Sequence, residues 1–185
     1  MRIWWNGRHA GFRFQSERVQ VQLLLSAPKS FQSEEKLKPT LYVLIGPPAS
    51  GKSTYAQTMK NNNTSILSSD DIRVELFGDA SVQTNGDLVF GILYERMRNL
   101  LKENKNVVID ATNINPEMRK YVFDNLHGID ANVVAIVFNT PKEKCYMFNK
   151  KRERHVPKRV IDLYFSRFIK PTLSEGFSEI KEINF

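Results

Sequence analysis

The feature that most constrains this chain is a glycine-containing turn between an apolar run and a helix-forming segment. The apolar run is Leu41–Ile45, and the next eight residues, Gly46 to Ser53, match G-x-x-x-x-G-K-[ST]. Glycines in such a turn let consecutive backbone N–H groups converge on one anion, and the following helix adds the positive end of its dipole. The pattern predicts a phosphate-binding loop that follows a buried strand and opens a helix.

Each part of this loop has an expected task. Lys52 supplies a cation for the β- and γ-phosphates, and Ser53 supplies a hydroxyl for Mg²⁺. ATP with Mg²⁺ is the expected pair of ligands. The predicted nucleotide-binding residues of the loop are Gly46, Pro47, Pro48, Ala49, Ser50, Gly51, Lys52, Ser53 and Thr54.

Strand and helix patterns alternate from Pro39 onward. Apolar runs predict strands at 41–45, 65–67, 106–110 and 133–138, with an edge strand at 180–185. Helical spacing and cap residues predict helices at 51–60, 71–77, 87–103, 116–125 and 141–154, and a last helix that opens at Pro157. This order predicts an α/β fold with a parallel sheet covered by helices on both faces.

The net charge of +7 is concentrated in two places. Residues 1–38 carry seven Lys or Arg against three acids, and residues 142–170 carry ten against three. A basic surplus favours a polyanionic partner. We predict a kinase domain over residues 39–185 and a basic–aromatic extension over residues 1–38. The extension is interpreted as a poorly ordered leader or added strand, a nucleic-acid-binding arm, or an organelle-targeting segment within residues 1–30.

Two observations bear on location. No apolar run approaches the roughly 18 residues of a membrane-spanning helix. The single cysteine, Cys145, cannot form an internal disulfide, and its apolar surroundings indicate an inert core thiol. These observations predict a cytoplasmic, reducing location without membrane association.

An acid stands at the end of the strand predicted at 106–110. Asp110 occupies the place where P-loop proteins hold the metal, although a turn-forming cap is the alternative. Hydrolysing motors usually place a second acid directly afterwards to activate water, and here the next residue is Ala111. The pattern therefore favours transfer of the phosphoryl group to a bound acceptor over hydrolysis of ATP by water.

Two further segments predict an acceptor site and a lid. Asp70 follows the second strand and is placed to accept a hydroxyl proton, or else to cap a helix. Arg73 would clamp a substrate phosphate, or else lie on a solvated helix face. The basic run Lys150–His155 is either solvated surface or a lid, in which an arginine stabilises transition-state charge.

Four segments together resemble the kinase domain of bacteriophage polynucleotide 5′-hydroxyl kinases and related P-loop kinases. They are IGPPASGKST (45–54), SDDIR (69–73), TNINPEMR (112–119) and NKKR (149–152), the last followed by Val156–Pro157. The resemblance covers residues from about 40 to 176. It implies a P-loop kinase fold with a helical lid, and transfer of phosphate from ATP to 5′-hydroxyl ends of DNA or RNA, as in nucleic-acid repair.

The resemblance also implies roles for single residues. Asp70 is the implied general base, Arg73 holds the acceptor's phosphate, and Arg152 is the lid arginine on the donor phosphates. Asp110, Thr112 and Asn113 are implied in substrate binding, and Ser53 and Asp110 in metal binding.

The chain departs from the phage pattern at two positions. Ala111 intervenes between the acid and the Thr-Asn pair, and Phe148 replaces a basic residue before the lid asparagine. Two other functions stay open at this stage. One is a P-loop kinase of a small molecule such as a nucleoside, sugar, antibiotic or nucleotide-sugar, and the other is a non-catalytic nucleotide-binding module.

Overall fold

A computed structural model describes residues 37–185. Apart from its last two residues, the predicted extension over residues 1–38 lies outside the described part, and its interpretations stay predictions. Residues Lys38–Phe185 form one compact unit. No helix within residues 37–185 is long and apolar enough to cross a membrane.

Five strands form one fully parallel sheet, as the alternating pattern predicts. They are β1 (Thr40–Ile45), β2 (Thr64–Ser68), β3 (Asn106–Asp110), β4 (Asn132–Asn139) and β5 (Glu179–Asn184). Their order across the sheet is β2-β3-β1-β4-β5, so the strand predicted at the end of the chain is an edge strand.

Six α-helices and one short 3₁₀ turn accompany the sheet in the described residues. The helices are α1 (Lys52–Met59), α2 (Ser69–Phe77), α3 (Gly86–Lys102), α4 (Pro116–Asp124), α5 (Lys142–Lys150) and α6 (Lys158–Ser166), and the 3₁₀ turn is Leu173–Glu175. Asn115 caps α4 as predicted, because its side chain accepts the N–H of Met118 at 2.9 Å.

The central strands are buried on both faces. Val43 packs in the larger core layer with α3 residues such as Leu93, whereas Leu44 packs in a second layer with Ala56 of α1 and Phe138. Consecutive side chains of β1 therefore need apolar neighbours on opposite faces. This requirement explains why β1 and β4 are continuous apolar runs rather than alternating ones.

The start of α2 differs from the prediction. It begins at Ser69, two residues earlier than predicted, because Ser68 is its N-cap and accepts the N–H of Asp71 at 3.2 Å. Asp70 lies in the first turn of the helix, so the interpretation of Asp70 as the helix N-cap is wrong.

The end of α5 is the second difference. It ends at Lys150, whereas the prediction continued it to about residue 154. The side chain of Asn149 accepts the N–H of Val156 at 2.9 Å and donates to its carbonyl at 2.8 Å. These two bonds close residues 151–157 into a loop, which we call the lid loop.

The parallel topology brings the predicted site residues to the carboxyl ends of the strands. Because β1 to β4 all run in one direction, their carboxyl ends meet at one edge of the sheet. The segments that leave this edge start at Gly46, Ser69, Ala111 and Thr140. Nearly all the site residues predicted from the sequence lie in or next to these segments.

Candidate active site

The phosphate loop is held in shape by its neighbours. Gly51 adopts a left-handed conformation with φ of 96°, which a residue with a Cβ adopts only with strain. The N–H of Gly46 donates to the carbonyl of Thr112 at 3.0 Å, and the hydroxyl of Thr140 donates to the carbonyl of Ser50 at 2.8 Å. The loops after β3 and β4 thus fix both ends of the turn.

Lys52 lies inside this loop. Its side chain is buried, and its Nζ donates to the carbonyls of Gly46 at 2.9 Å and Pro47 at 2.7 Å, and to the hydroxyl of Ser50 at 3.3 Å. The ammonium is therefore held inside the loop by carbonyl and hydroxyl oxygens.

The charge of Lys52 is under-compensated. Burial lowers its pKa from 10.5 to about 8, the carboxylate of Asp110 opposes this change, and the guanidinium of Arg152 adds to it. Anionic phosphates placed against Nζ would remove the imbalance, because a nearby negative charge favours the ammonium form.

Asp110 and Ser53, which the sequence predicts as metal ligands, lie side by side. Asp110 is 9% exposed at the end of β3, and burial raises its pKa, while the hydroxyl of Ser53 and the ammonium of Lys52 oppose the rise. A carboxylate and a hydroxyl oxygen side by side are the hard ligands that Mg²⁺ prefers, and Mg²⁺ usually takes only one or two such protein ligands together with nucleotide phosphates. The two side chains therefore fit that ion.

Asp70 and Arg73 lie next to each other on α2. Nη1 of Arg73 is 3.4 Å from Oδ1 of Asp70 and donates to the carbonyl of Ser69 at 3.0 Å. Arg73 is only 7% exposed, so the interpretation of a solvated helix face is wrong. Its Nε is buried without a hydrogen-bond partner within residues 37–185.

The lid loop approaches the same place from the other side. Arg152 lines the cleft in front of Lys52, and Nη2 of Arg154 is 3.4 Å from Oδ2 of Asp70. The sequence did not predict the contact between Arg154 and Asp70. Phe148, which departs from the phage pattern, does not line this cleft; its ring lies 6.1 Å from that of Phe185.

Thr112 and Asn113 face the cleft from the loop after β3. Asn113 has a positive φ of 45°, and its side-chain amide donates to the carbonyl of Leu44 at 3.0 Å. With the bond from Gly46 to the Thr112 carbonyl, this contact ties the loop to the end of β1. Their role in substrate binding stays a prediction, and the side-chain amide of Asn113 already has a structural partner.

Behind this loop lies a buried arginine to which the sequence analysis gave no role. Arg119 is fully buried and donates to Oε2 of Glu175 at 2.6 Å and Oε1 at 2.9 Å. Its Nη1 also donates to the carbonyls of Asn113 at 3.1 Å and Ile169 at 3.0 Å. Two signals were available: Arg119 ends the TNINPEMR segment, and Thr172 with Glu175 has the spacing of a capping box.

Most of the predicted site residues line one cleft of about 880 Å³. The predicted site residues that line it are Pro48, Lys52, Ser53, Asp70, Arg73, Asp110, Thr112, Asn113 and Arg152. The other predicted loop residues, Gly46, Pro47, Ala49, Ser50, Gly51 and Thr54, belong to the phosphate loop and the start of α1 without lining that cleft. Donor-side and acceptor-side candidates thus face the same space.

Comparison with known proteins places the chain in a family. The family described as "AAA domain" matches residues 41–171. The chain belongs to this AAA-domain family. The matched range runs from β1 to the segment after α6 and so includes the phosphate loop, α2 and the lid loop.

Two curated relatives and one solved structure are similar to this AAA-domain chain. The Arabidopsis thaliana protein "Transcription factor bHLH140" is 28% identical over 94% of this chain and 19% of its own length. The Schizosaccharomyces pombe "Bifunctional polynucleotide phosphatase/kinase" is 26% identical over 86% of this chain and 36% of its own length. One chain of the Pnkp1/Rnl/Hen1 RNA repair complex is 27% identical, with a TM-score of 0.61 over 71% of this chain and 44% of its own.

These similarities confirm the resemblance to polynucleotide kinases that the four sequence segments carry, and they confirm the P-loop kinase fold. The chain spans less than half the length of each of these relatives.

Proposed function

We propose that this protein is an ATP- and Mg²⁺-dependent kinase that phosphorylates the 5′-hydroxyl ends of DNA or RNA. One observation carries the proposal: Asp70 and Arg73 line the same cleft as Lys52, Ser53 and Asp110. A candidate proton acceptor and a candidate phosphate clamp therefore face the phosphate loop. The similarity to polynucleotide kinases supports the nucleic-acid acceptor.

On the donor side, the backbone of the phosphate loop and Lys52 hold the phosphates of ATP. Arg152 approaches from the lid loop and stabilises the negative charge that builds up during transfer. Ser53 and Asp110 would hold Mg²⁺, which neutralises phosphate charge when bound.

On the acceptor side, Asp70 takes the proton of the 5′-hydroxyl. The hydroxyl oxygen forms a bond to the γ-phosphorus while the bond from that phosphorus to the bridging oxygen breaks, and its electron pair leaves with ADP. Arg73 is fixed within α2, whereas Arg154 belongs to the lid loop. The hydroxyl therefore replaces Arg154 at Oδ2 of Asp70, and Arg73 stays in place.

Arg73 also has a task of its own. A buried donor without a partner costs about 1–3 kcal/mol, and hydrogen bonds to charged groups are the stronger ones. Among the described residues 37–185, the Nε of Arg73 is such a donor. A phosphate of the acceptor satisfies it and fixes the terminal nucleotide beside Asp70.

The direct test is incubation with γ-labelled ATP and either 5′-hydroxyl oligonucleotides or a panel of small metabolites. We expect the label to appear on the oligonucleotides and not on oligonucleotides that already carry a 5′-phosphate. Label on a nucleoside, sugar or other metabolite alone would favour the small-molecule kinase. Nucleotide binding without any transfer would favour a non-catalytic module.

The assignment of Asp70 predicts the effect of one substitution. Asp70→Asn keeps the size of the side chain but removes the base, so kcat should fall by about 10²- to 10⁴-fold with little change in ATP affinity. Asp71→Asn is the matched control, because Asp71 is exposed and does not line the cleft. Normal turnover in Asp70→Asn, with loss of turnover in Asp71→Asn, would move the base to Asp71.

A further inference from the structure

The proposed general base is covered on both oxygens in the free protein. Oδ1 of Asp70 lies 3.4 Å from Nη1 of Arg73, and Oδ2 of the same carboxylate lies 3.4 Å from Nη2 of Arg154. Each carboxylate oxygen therefore faces a guanidinium. An acceptor hydroxyl that gives its proton to Asp70 needs one of these oxygens, so one of the two contacts has to open.

The two arginines differ in how firmly they are held. Arg73 is buried and also donates to the carbonyl of Ser69 at 3.0 Å, so helix α2 fixes its position. The side chain of Arg154 is 34% exposed, and that of Asp70 is 40% exposed. Ion pairs with this degree of exposure contribute little to stability, because water and salt screen them. Arg154 is therefore the partner of Asp70 that can leave.

The lid loop carries Arg154 together with the arginine of the donor side. Burial lowers the pKa of Lys52, and the positive charge of Arg152 adds to this effect, so Arg152 faces a like charge. Arg154, two residues later, faces the opposite charge of Asp70. Two hydrogen bonds close the ends of this loop, so both arginines belong to one short segment between the donor and acceptor sides.

ATP changes this balance of charges. Under the proposed function the γ-phosphate lies next to the hydroxyl that Asp70 holds, because reacting atoms must come within about 3–3.5 Å of each other. The γ-phosphate carries more negative charge than a carboxylate, and a guanidinium can bind two of its oxygens at once. ATP therefore brings a stronger partner for Arg154 to the place where the guanidinium already lies.

We propose that Arg154 is a positioning residue that covers Asp70 until ATP binds, and that the γ-phosphate then draws it away and exposes the base to the acceptor hydroxyl. This inference rests on the proposed function and adds an order to it. The 5′-hydroxyl reaches Asp70 after the donor is in place. ADP, which lacks the γ-phosphate, leaves Arg154 on Asp70.

The test measures the binding of two oligonucleotides by fluorescence anisotropy. One has a 5′-hydroxyl end, and the other has a 5′-deoxy end in which a hydrogen atom replaces that hydroxyl. With Mg²⁺ and a non-hydrolysable ATP analogue, the wild-type chain should bind the 5′-hydroxyl end about tenfold more tightly, because the hydroxyl donates a hydrogen bond to a charged group. Without nucleotide, or with ADP, this preference should be about three- to fivefold smaller, since the hydroxyl must first break the ion pair.

Variants assign the effect to Arg154. Arg154→Gln removes the positive charge from Asp70, so it should show the full preference for the 5′-hydroxyl end without nucleotide. Arg154→Lys keeps the charge but loses the planar fork, and its preference should lie between those of Arg154→Gln and the wild type. Arg159→Gln is the matched control, because Arg159 is exposed on α6 and does not line the cleft. It should keep the wild-type dependence on nucleotide.

Turnover gives a second readout that a purely structural role would not produce. Because Arg154 also contacts the γ-phosphate in this scheme, Arg154→Gln should lower kcat while it strengthens the preference for the 5′-hydroxyl end in the absence of nucleotide. A residue that only supports the fold would lower both quantities together.

The outcomes separate this inference from the proposed function. A wild-type preference of the same size with and without the ATP analogue, or one restored in full by ADP, would overturn the inference while leaving the kinase in place. A nucleotide-free preference in Arg154→Gln equal to that of the wild type would also overturn it. No label from γ-labelled ATP on any 5′-hydroxyl oligonucleotide, with label on a metabolite, would refute the proposed function itself.

Discussion

At the scale of single residues, the burial of Lys52 lowers its pKa and so favours the binding of an anion beside it. A buried ammonium is unfavourable unless negative charge lies beside it. Here carbonyl and hydroxyl oxygens surround Nζ, yet the pKa still falls to about 8. Under the proposed function the phosphates of a nucleotide supply this negative charge, so the protonation of Lys52 becomes part of binding.

This coupling predicts a pH dependence of nucleotide affinity. The pKa of Lys52 is about 8 in the free protein and rises when phosphates bind, so between the two values binding takes up a proton. The affinity for ADP should therefore fall as the pH rises above about 8, by up to tenfold per pH unit. Calorimetric titration in buffers of different ionisation enthalpy measures both the affinity and the proton uptake.

The control for this prediction is Lys52→Gln, which removes the titrating group. The affinity of Lys52→Gln for ADP should be weaker than that of the wild type and should change little over the same pH range. A wild-type affinity that stays constant from below to above pH 8 would contradict the assignment of Lys52 to the phosphates.

Residues with local signals were predictable at this scale, and residues with distant partners were not. Lys52 and Ser53 follow from a contiguous motif. The cap of α2 was ambiguous because Ser68, Ser69, Asp70 and Asp71 are all good cap formers. Only the folded backbone selects Ser68 among them and leaves Asp70 facing the cleft.

At the scale of elements, the pair Arg119–Glu175 joins α4 to the 3₁₀ turn near the end of the chain. Arg119 also donates to the carbonyls of Asn113 and Ile169, so it holds the loop after β3 against the segment after α6. Partial burial opposes ionisation of Glu175, but the hydrogen bonds from Arg119 and the backbone of Thr172 outweigh it and lower the pKa of this carboxyl.

We predict that breaking this pair destabilises the domain. Glu175→Gln leaves the fully buried guanidinium of Arg119 without its countercharge, and such changes cost about 3–5 kcal/mol. Chemical denaturation measures the free energy of unfolding. Asp124→Asn is the matched control, since it breaks the exposed pair with Lys120 on the same helix and should cost less than about 1 kcal/mol.

The pair Arg119–Glu175 should also make the free energy of unfolding depend on pH. Because the folded-state pKa of Glu175 is lowered, its contribution is complete above the unfolded value of 4.5 and is lost as the pH falls through the folded value. The difference in unfolding free energy between wild type and Glu175→Gln should therefore shrink in acid. A difference that is small at neutral pH, or that does not shrink in acid, would show that the charge of Glu175 does not hold Arg119.

Element type was predictable from sequence, whereas one element boundary depended on a tertiary contact. The strands and helices follow from apolar runs and helical spacing. The helix predicted to about residue 154 ends at Lys150, although the basic residues that follow are good helix formers. The two hydrogen bonds between Asn149 and Val156 decide this boundary, and helical spacing does not reveal them.

At the scale of the whole molecule, topology decides which distant residues share the cleft. The alternating pattern predicted a parallel sheet, but the order β2-β3-β1-β4-β5 is known only from the fold. Phe90, Tyr121 and Tyr164 are far apart in sequence, and helical periodicity assigns each of them only to a helix face. That all three line the cleft that Asp70 also lines is a property of the packed domain.

The basic charge of residues 142–170 lies partly beside the cleft. Lys150, the last residue of α5, and Lys151, the first of the lid loop, are exposed, and within residues 37–185 neither pairs with an acidic side chain. They belong to the basic stretch 142–170, next to the cleft that holds Arg152 and Arg154. A polyanionic acceptor that extends out of the cleft would meet them.

This arrangement predicts that acceptor binding weakens with salt, because each contact between a lysine and a phosphate releases counterions from the nucleic acid. In oligonucleotide binding measured by fluorescence anisotropy, Lys150→Gln and Lys151→Gln should each reduce the log–log slope against salt by about 0.7 if they contact a single strand. Lys105→Gln is the control. Lys105 lies just before the amino end of β3, away from the carboxyl ends of the strands, so its substitution should leave the slope unchanged. An affinity that is insensitive to salt, or a slope that falls equally in Lys105→Gln, would show that Lys150 and Lys151 do not contact the acceptor backbone. A small acceptor confined to the cleft would then fit the charge distribution better.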